Sequence, residues 1–159
     1  MGINMRKGGV ARTLELLIVE DNPSDVELLI AAFRKWNSNV HLSFAGDGEE
    51  ALDMLLGNGD KNIPRLRPDF ILLDLNLPRK DGIQVLSAIK SAPELQQIPV
   101  VVLTTSDSDE DVSAAYGMHA NCYLTKTTDV FEFFSKIEAL EEFWLNAARL
   151  PSVSAARGF

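Results

Sequence analysis

Two kinds of hydrophobic pattern alternate along the chain. Short continuous apolar runs are typical of β-strands that are buried on both faces of a sheet. Between these runs, apolar residues recur every three or four positions, as they do on one face of an α-helix. The apolar runs predict five strands, at residues 14–19, 40–45, 70–74, 98–104 and 121–125.

Five helices are predicted in the segments with helical spacing. The first begins at Ser24, because Ser24 and Glu27 have the sequence spacing of a capping box. The last has an inward face predicted to carry Phe131, Phe134, Ile137 and Leu140. The predicted helices cover residues 24–36, 49–56, 82–90, 109–118 and 130 to about 147.

The alternation of strand and helix predicts an α/β fold with a doubly wound sheet of five parallel strands. Each connection between parallel strands has to cross the sheet, and the crossing segments here are helical, so helices should cover both faces. The hydrophobic pattern indicates one core, and the sequence contains no internal repeat. We therefore expect a single domain over residues 14–147, with a flexible arm at residues 1–13 and a tail at residues 148–159.

Composition and charge narrow the class of protein. Hydrophobic residues make up 46% of the chain and charged residues 24%, as in ordinary globular proteins. No apolar run approaches the roughly 18 residues of a membrane span. The start lacks the features of a secretory signal and the one cysteine, Cys122, cannot form an internal disulfide, so we expect a cytoplasmic protein. A net charge of −8 disfavours binding to nucleic acid.

Polar side chains stand where the predicted strands end. Glu20 and Asp21 follow the first strand, and Asp74 ends the third. Thr104 ends the fourth strand and Lys126 follows the fifth. Ligands of open parallel sheets bind beyond the carboxyl ends of the strands, where the strand order reverses. We therefore expect these side chains to meet in one pocket if the first, third and fourth strands are neighbours.

The residue types in this pocket indicate a metal-assisted reaction at phosphorus. Carboxylates that lie close together raise one another's pKa unless a cation is present. Oxygen ligands with no histidine or cysteine nearby favour a hard ion, and Mg²⁺ is the predicted cofactor. The ammonium of Lys126 and the hydroxyl of Thr104 suit the oxygens of a phosphoryl group. Asp74 is the candidate nucleophile.

Four segments, IVEDN, LLDLNLPRKDG, VVVLTTSD and YLTK, together resemble the receiver domain of two-component response regulators. The resemblance covers about residues 14–145, and the spacing of Asp74, Thr104 and Lys126 matches that of receivers. It implies a flavodoxin-like fold with strand order 2-1-3-4-5. It also implies that Asp74 accepts a phosphoryl group from a sensor histidine kinase.

The same resemblance assigns a metal site. Asp21, Asp74 and the backbone carbonyl of Asn76 would bind Mg²⁺, and Glu20 would act through metal-bound water. All four positions carry the residue that this role requires.

The resemblance also assigns the phosphoryl contacts and a switch. Thr104 and Lys126 would contact the phosphoryl oxygens, and Tyr123 occupies the aromatic position that changes rotamer as Thr104 moves inward. Two positions depart from the family pattern. Thr105 follows Thr104 where receivers often have alanine or glycine, and Thr127 follows Lys126 where many receivers have a proline joined by a cis bond. A cis bond to a residue other than proline costs about 2.5 to 4 kcal/mol, so the loop either stores strain or follows another path.

The loop at residues 58–68 and the ending IEALEEFWLNAARLPSV further resemble stand-alone regulators paired with bacterial phytochromes. Such a regulator is a signalling protein and not an enzyme, apart from slow self-dephosphorylation, and acts through a surface that phosphorylation favours. Phe143 and Trp144 lie on a helix that already has an inward face, so we expect them to form a homodimer or partner surface.

Other interpretations account for fewer of these features. Each polar residue alone has a structural explanation as a helix cap, turn former or solvated side chain, but four such coincidences at four strand ends would be needed. A haloacid-dehalogenase-type phosphatase or phosphotransferase would also use Asp74 as nucleophile, but it requires a second aspartate where this chain has Asn76. A scaffold that has lost phosphorylation would not need the acceptor and metal-binding residues, which are all present here. A flavin or nucleotide binder would need a glycine-rich turn after the first strand, and this chain lacks one.

Overall fold

The computed structural model describes residues 13–36 and 39–151, and within them strands and helices alternate as the sequence pattern predicts. The order of elements is β1 (Leu14–Val19), α1 (Pro23–Trp36), β2 (Val40–Ala45), α2 (Gly48–Leu56), β3 (Phe70–Leu73), α3 (Gly82–Ser91), β4 (Val100–Thr104), α4 (Asp109–Gly117), β5 (Cys122–Thr125), α5 (Val130–Leu140) and a π-helical segment (Glu141–Ala147).

The strands form one parallel sheet in the order β2-β1-β3-β4-β5, which confirms the predicted doubly wound, flavodoxin-like fold. The last residue of β1, Val19, pairs with Ala45 of β2 on one side and Leu73 of β3 on the other. Thr104 of β4 pairs with Thr125 of β5. Leu73 of β3 pairs with Val102 of β4, so β4 and β5 end two residues beyond the other three strands, and whatever follows each strand lies at one edge of the sheet.

The core consists of two apolar layers, one on each face of the sheet. Alternate residues of the strands enter opposite layers, as the two-residue period of a strand requires: Leu17 enters one layer and Ile18 the other. One layer includes Leu55 of α2, Ile89 of α3 and Ala115 of α4. The other includes Leu29 and Phe33 of α1 with Phe133, Ile137 and Leu140 of α5.

Helix α1 begins at Pro23, one residue before the predicted start. Asn22 is its N-cap, because the side-chain Oδ1 of Asn22 accepts hydrogen bonds from the amides of Ser24 (2.9 Å) and Asp25 (3.3 Å). Proline suits the first helical position, since its missing N–H would have no partner there. The prediction that Ser24 caps the helix was therefore wrong.

The last helical segment ends at Ala147 as predicted, but it differs from the prediction in register and is π-helical after Leu140. Phe131 is 86% exposed, and Phe133 instead of Phe131 joins Ile137 and Leu140 in the core. The α-helix ends at Leu140, after which Glu141–Ala147 is π-helical, and the amide of Ala148 donates to the carbonyl of Phe143 (2.6 Å). The wider turn of a π-helix changes which side chains face inward after Leu140.

Among the described residues, none of the helices has the length and apolar character needed to cross a membrane. The predicted N-terminal arm, apart from Thr13, and residues 152–159 of the predicted tail lie outside the part of the chain that the structure describes.

Candidate functional site

The predicted site residues follow the strands at the carboxyl edge of the sheet, and the backbone holds them there. The amide of Glu20 donates to the carbonyl of Ala45 (3.0 Å), and that of Asp74 donates to the carbonyl of Val19 (3.0 Å). The amide of Lys126 donates to the carbonyl of Thr104 (2.7 Å). Each residue thus extends the sheet hydrogen bonding by one step beyond its strand, which limits where its side chain can lie.

Three carboxylates meet at this edge. Glu20, Asp21 and Asp74 each have an oxygen within 4.8 Å of the others, in an arrangement that could hold a metal ion. Glu20 and Asp74 are 5% and 6% exposed, whereas Asp21 is exposed. Oxygen donors at this spacing, open to solvent on one side, fit a hard divalent cation that keeps some of its water ligands.

Asp74 is held through both carboxylate oxygens. Its Oδ1 accepts a hydrogen bond from the amide of Asn76 (3.0 Å) and its Oδ2 from the Nζ of Lys126 (2.9 Å). Two fixed partners on the two oxygens orient the carboxylate toward the pocket. The side-chain amide of Asn76 donates to the hydroxyls of Thr104 (3.4 Å) and Thr105 (3.5 Å). An amide does not ionise at neutral pH, so Asn76 lacks the acid–base function of a haloacid-dehalogenase-type enzyme.

Lys126 supplies the positive charge of the pocket. Its side chain is 7% exposed, and Nζ donates to Glu20 (2.6 Å), Asp25 (2.9 Å) and Asp74 (2.9 Å). Burial acts to lower the pKa of Lys126, but the three carboxylate hydrogen bonds outweigh it and hold that pKa above its ordinary value. Lys126 therefore remains protonated at neutral pH.

The pKa of Glu20 is raised because its carboxyl group is buried and lies near the charge of Asp74. Burial raises the pKa of Glu20 to about 7, the hydrogen bond from Lys126 acts against this rise, and the charge of Asp74 adds to it. A cation bound by these carboxylates would lower the pKa of Glu20 again, since it favours their ionised forms.

Asp25 is a pocket residue that the sequence pattern does not predict. It lies in the first turn of α1, and its carboxylate is one of the three partners of Lys126. An acid in the first turn of a helix is common, because it complements the helix dipole, and so its sequence position indicated nothing more. No periodic signal relates Asp25 to Lys126, which lies 101 positions later.

The predicted switch residues also lie close to the pocket. Thr104 is fully buried at the end of β4. The hydroxyl of Tyr123 donates to the carbonyl of Ser106 (2.8 Å), in the segment that follows Thr104. The predicted rotamer change of Tyr123 remains a prediction, but this hydrogen bond links β5 to the segment that follows β4.

The loop after Lys126 follows a path without a cis bond. The described residues contain no cis peptide, so the Lys126–Thr127 bond is trans. The hydroxyl of Thr127 accepts from the amide of Asp129 (3.2 Å) and donates to the carboxylate of Glu132 (3.1 Å). These side-chain contacts connect the loop to the start of α5.

Gly82 permits α3 to begin directly against the pocket. A Cβ at this position would lie 2.4 Å from the carbonyl oxygen of Asp74 and 2.4 Å from the Cα of Leu75. Both atoms belong to the backbone and cannot move aside, so a larger residue would displace the segment that carries the acceptor. Asp81 and Gln84 complete a capping box at this helix start.

The two aromatic residues of the predicted dimer or partner surface differ in exposure. Phe143 is 57% exposed and packs edge-on against Trp144, with ring centroids 5.2 Å apart. Trp144 is half-buried and packs against Phe70 of β3, with centroids 5.6 Å apart. Phe143 is therefore accessible to a partner, whereas Trp144 mainly contacts the core; that the two residues form a dimer or partner surface remains a prediction.

Residues 16–138 match the family described as the response regulator receiver domain. Among curated relatives, response regulator Rcp1 of Synechocystis sp. is 44% identical over 138 residues, covering 86% of this chain and 92% of Rcp1. The probable methanogenesis regulatory protein FilR2 of Methanothrix harundinacea is 41% identical over 138 residues, covering 86% of each chain.

Solved structures agree with the sequence comparison. The phosphorylated cyanobacterial phytochrome response regulator RcpA is 43% identical and superposes with a TM-score of 0.82 over 87% of this chain and 99% of RcpA. The Mn²⁺-bound form of Rcp1 is also 43% identical and superposes with a TM-score of 0.80 over the same shares of the two chains. With the family matched over most of its length, the chain belongs to the receiver domains of response regulators.

Proposed function

We propose that this protein is a signalling switch in which Asp74 accepts a phosphoryl group from the phosphohistidine of a sensor histidine kinase. The observation that carries the proposal is the environment of Asp74: a buried carboxylate at a strand end, 2.9 Å from a buried lysine ammonium and within a cluster of three carboxylates. Membership in the receiver family supports the same role.

The transfer exchanges one bond to phosphorus for another. A carboxylate oxygen of Asp74 attacks the phosphorus, a P–O bond forms, and the P–N bond of phosphohistidine breaks with its electron pair returning to the imidazole. Lys126 stays protonated and places its charge beside Asp74, where the phosphoryl oxygens would gather. The fully buried hydroxyl of Thr104 is the predicted second contact for these oxygens.

Glu20, Asp21 and Asp74 would hold Mg²⁺, with the backbone carbonyl of Asn76 as a further predicted ligand. When bound, the ion supplies positive charge that offsets the negative charge of the phosphoryl oxygens. The spacing of the three carboxylates supports this site, and the relative Rcp1 has been crystallised with Mn²⁺. The exposed side chain of Asp21 leaves room for water ligands, which Mg²⁺ retains in most protein sites.

The proposed kinase is of the phytochrome type, because RcpA is by its description a phytochrome response regulator and the bacteriophytochrome response regulator AtBRR is 38% identical with a TM-score of 0.67. The exchange would take place in the cytoplasm. Phosphorylation would then favour one arrangement of Thr104, Tyr123 and the surface of α4, β5 and α5, which a homodimer partner or a downstream target reads.

The proposal is tested by the intact mass of the wild type and of Asp74→Asn after incubation with Mg²⁺ and a phosphorylated phytochrome-type histidine kinase. We expect one acid-stable, base-labile adduct of ~80 Da on the wild type and none on the variant, since only the carboxylate can form an acyl phosphate. An equal adduct on Asp74→Asn, or no adduct on the wild type with any of several kinases, would overturn the assignment.

A further inference from the structure

Lys126 has one carboxylate partner that belongs neither to the acceptor nor to the metal cluster. Two of its partners, Glu20 and Asp74, are members of the group of carboxylates that could hold a cation. The third, Asp25, lies outside that group and is 2.9 Å from Nζ. A lysine ammonium has three N–H donors, so these three carboxylates engage all of them.

The start of α1 fixes the position of Asp25. The amide of Asp25 donates to the side chain of Asn22 (3.3 Å), and the amide of Asn22 donates to the carboxylate of Glu20 (3.2 Å). The side chain of Asp25 is 26% exposed, which is less than expected for a free surface acid. The carboxylate therefore approaches Lys126 from a helix start that is itself tied to the pocket.

The three hydrogen bonds of Lys126 differ in what phosphorylation would do to them. The bond to Asp74 is made to the phosphoacceptor itself, so it is the bond that a phosphoryl oxygen would replace. Glu20 would share its carboxylate with a bound cation. Asp25 is the partner that can keep its hydrogen bond to Lys126 before and after phosphorylation of Asp74 or binding of a cation.

We propose that Asp25 is a positioning residue of the phosphoacceptor pocket: it holds the Lys126 ammonium in the orientation that meets an incoming phosphoryl oxygen. This inference rests on the proposed function of Asp74. The opposite effect also has a physical basis, because the negative charge of a fourth carboxylate near the pocket repels an anion. If repulsion were the main effect, removal of Asp25 would strengthen anion binding instead of weakening it.

The experiment measures the affinity for beryllofluoride, an analogue of the phosphoryl group, at saturating Mg²⁺ by ¹⁹F NMR. We expect Asp25→Ala to bind about tenfold more weakly than the wild type, the effect of losing one charge-assisted hydrogen bond. Asp25→Asn, which keeps an acceptor oxygen without the charge, should lose less of its affinity for beryllofluoride. Glu27→Gln is the matched control, because it removes an exposed acid from the same helix and should bind as the wild type does.

A double-mutant cycle separates positioning from a general effect on the fold. In a Lys126→Ala background, Asp25→Ala should cause no further loss, since the group that it positions is gone. An Asp25→Ala variant that binds as tightly as the wild type or more tightly, or that loses affinity equally with and without Lys126, would overturn the inference. Failure of the wild type itself to bind beryllofluoride would instead contradict the proposed function.

Discussion

The Nζ of Lys126 lies 2.9 Å from the Oδ2 of Asp74, although 52 positions separate the two residues in the chain. The strands that precede them, β3 and β5, are not neighbours, because β4 lies between them. The lysine side chain therefore reaches across the end of β4 to the acceptor. Any change of charge at Asp74 acts directly on the residue that begins the loop between β5 and α5.

Lys126→Ala should separate phosphorylation of Asp74 from its effect on the surface. The nucleophile and the three carboxylates of the metal cluster remain, so the variant should still bind beryllofluoride, but roughly 10- to 100-fold more weakly because a charged hydrogen bond is lost. The amide chemical-shift changes that beryllofluoride causes in α5 of the wild type should disappear. A titration followed by two-dimensional ¹H–¹⁵N NMR measures the affinity, and the spectra at saturating ligand measure the shift changes in α5.

Lys90→Ala is the matched control for this prediction. Lys90 is also a partly buried lysine with three acceptors, the carbonyls of Gln96 and Ile98 and the side chain of Asn121, but none of these belongs to the pocket. Its removal should leave the response of α5 to beryllofluoride intact. An equal loss of response in Lys90→Ala would mean that general destabilisation, not the link to Asp74, explains the Lys126 result.

Asp21→Asn should weaken Mg²⁺ binding without unfolding the protein, because Asp21 is the exposed member of the metal cluster. At a Mg²⁺ concentration of about 100 times Kd, the ion should stabilise the wild type by about 2.7 kcal/mol and raise Tm by roughly 5 to 10 °C. The same concentration should change the Tm of Asp21→Asn much less. Differential scanning calorimetry of both proteins, with the exposed Glu110→Gln as control, checks the expectation; a full Tm shift in Asp21→Asn would remove Asp21 from the ligand set.

Phe143→Ser should weaken self-association if the proposed dimer surface includes this residue. Phe143 is 57% exposed, and loss of a buried aromatic contact at an interface commonly costs about 2 kcal/mol, so the dimer Kd should rise at least roughly tenfold. Ile63→Ser is the control, because Ile63 is 58% exposed but lies between α2 and β3 and outside the surface of α4, β5 and α5. Sedimentation equilibrium with and without beryllofluoride measures the constants; identical behaviour of the two variants would contradict a specific role for Phe143.

The fold and most of the pocket could be predicted from the sequence because they depend on local patterns with a known topology. Apolar runs separated by helical segments allow few arrangements other than a doubly wound sheet, and the ends of such strands meet at one edge. Glu20, Asp74 and Lys126 could therefore be assigned to one pocket before any distance was known. Asp25 could not, because its contact with Lys126 depends on how far into the pocket the start of α1 projects.

The register of α5 could not be predicted for a related reason. The segment VFEFFSKIEAL carries three phenylalanines within four positions, so more than one rotation of the helix gives an apolar face. Packing against the sheet decides between them and places Phe133, not Phe131, in the core. Local spacing also gave no sign that the helix widens after Leu140.

Glu141 should make the stability of the fold depend on pH. It begins the π-helical segment and is 4% exposed, and its Oε1 has no hydrogen-bond partner within the described part of the chain. Burial, and then the charge of Glu138, raises the pKa of Glu141 to about 7 from an ordinary value of 4.5. Because the folded state binds this proton more tightly than the unfolded state does, the contribution to stability is complete below pH 4.5 and is lost as the pH rises through 7.

Glu141→Gln replaces this group by a neutral side chain of similar shape, so its stability should lack that part of the pH dependence. The free energy of unfolding of the variant minus that of the wild type should increase by about 2 kcal/mol between pH 5 and pH 8. Urea denaturation measures both free energies. The comparison uses the change in the difference between the two proteins, because other groups, Glu20 among them, titrate equally in both. Glu142→Gln removes an exposed acid from the same segment and should follow the wild type. A difference between Glu141→Gln and the wild type that is constant from pH 5 to pH 8 would show that Glu141 has the same affinity for its proton in both states.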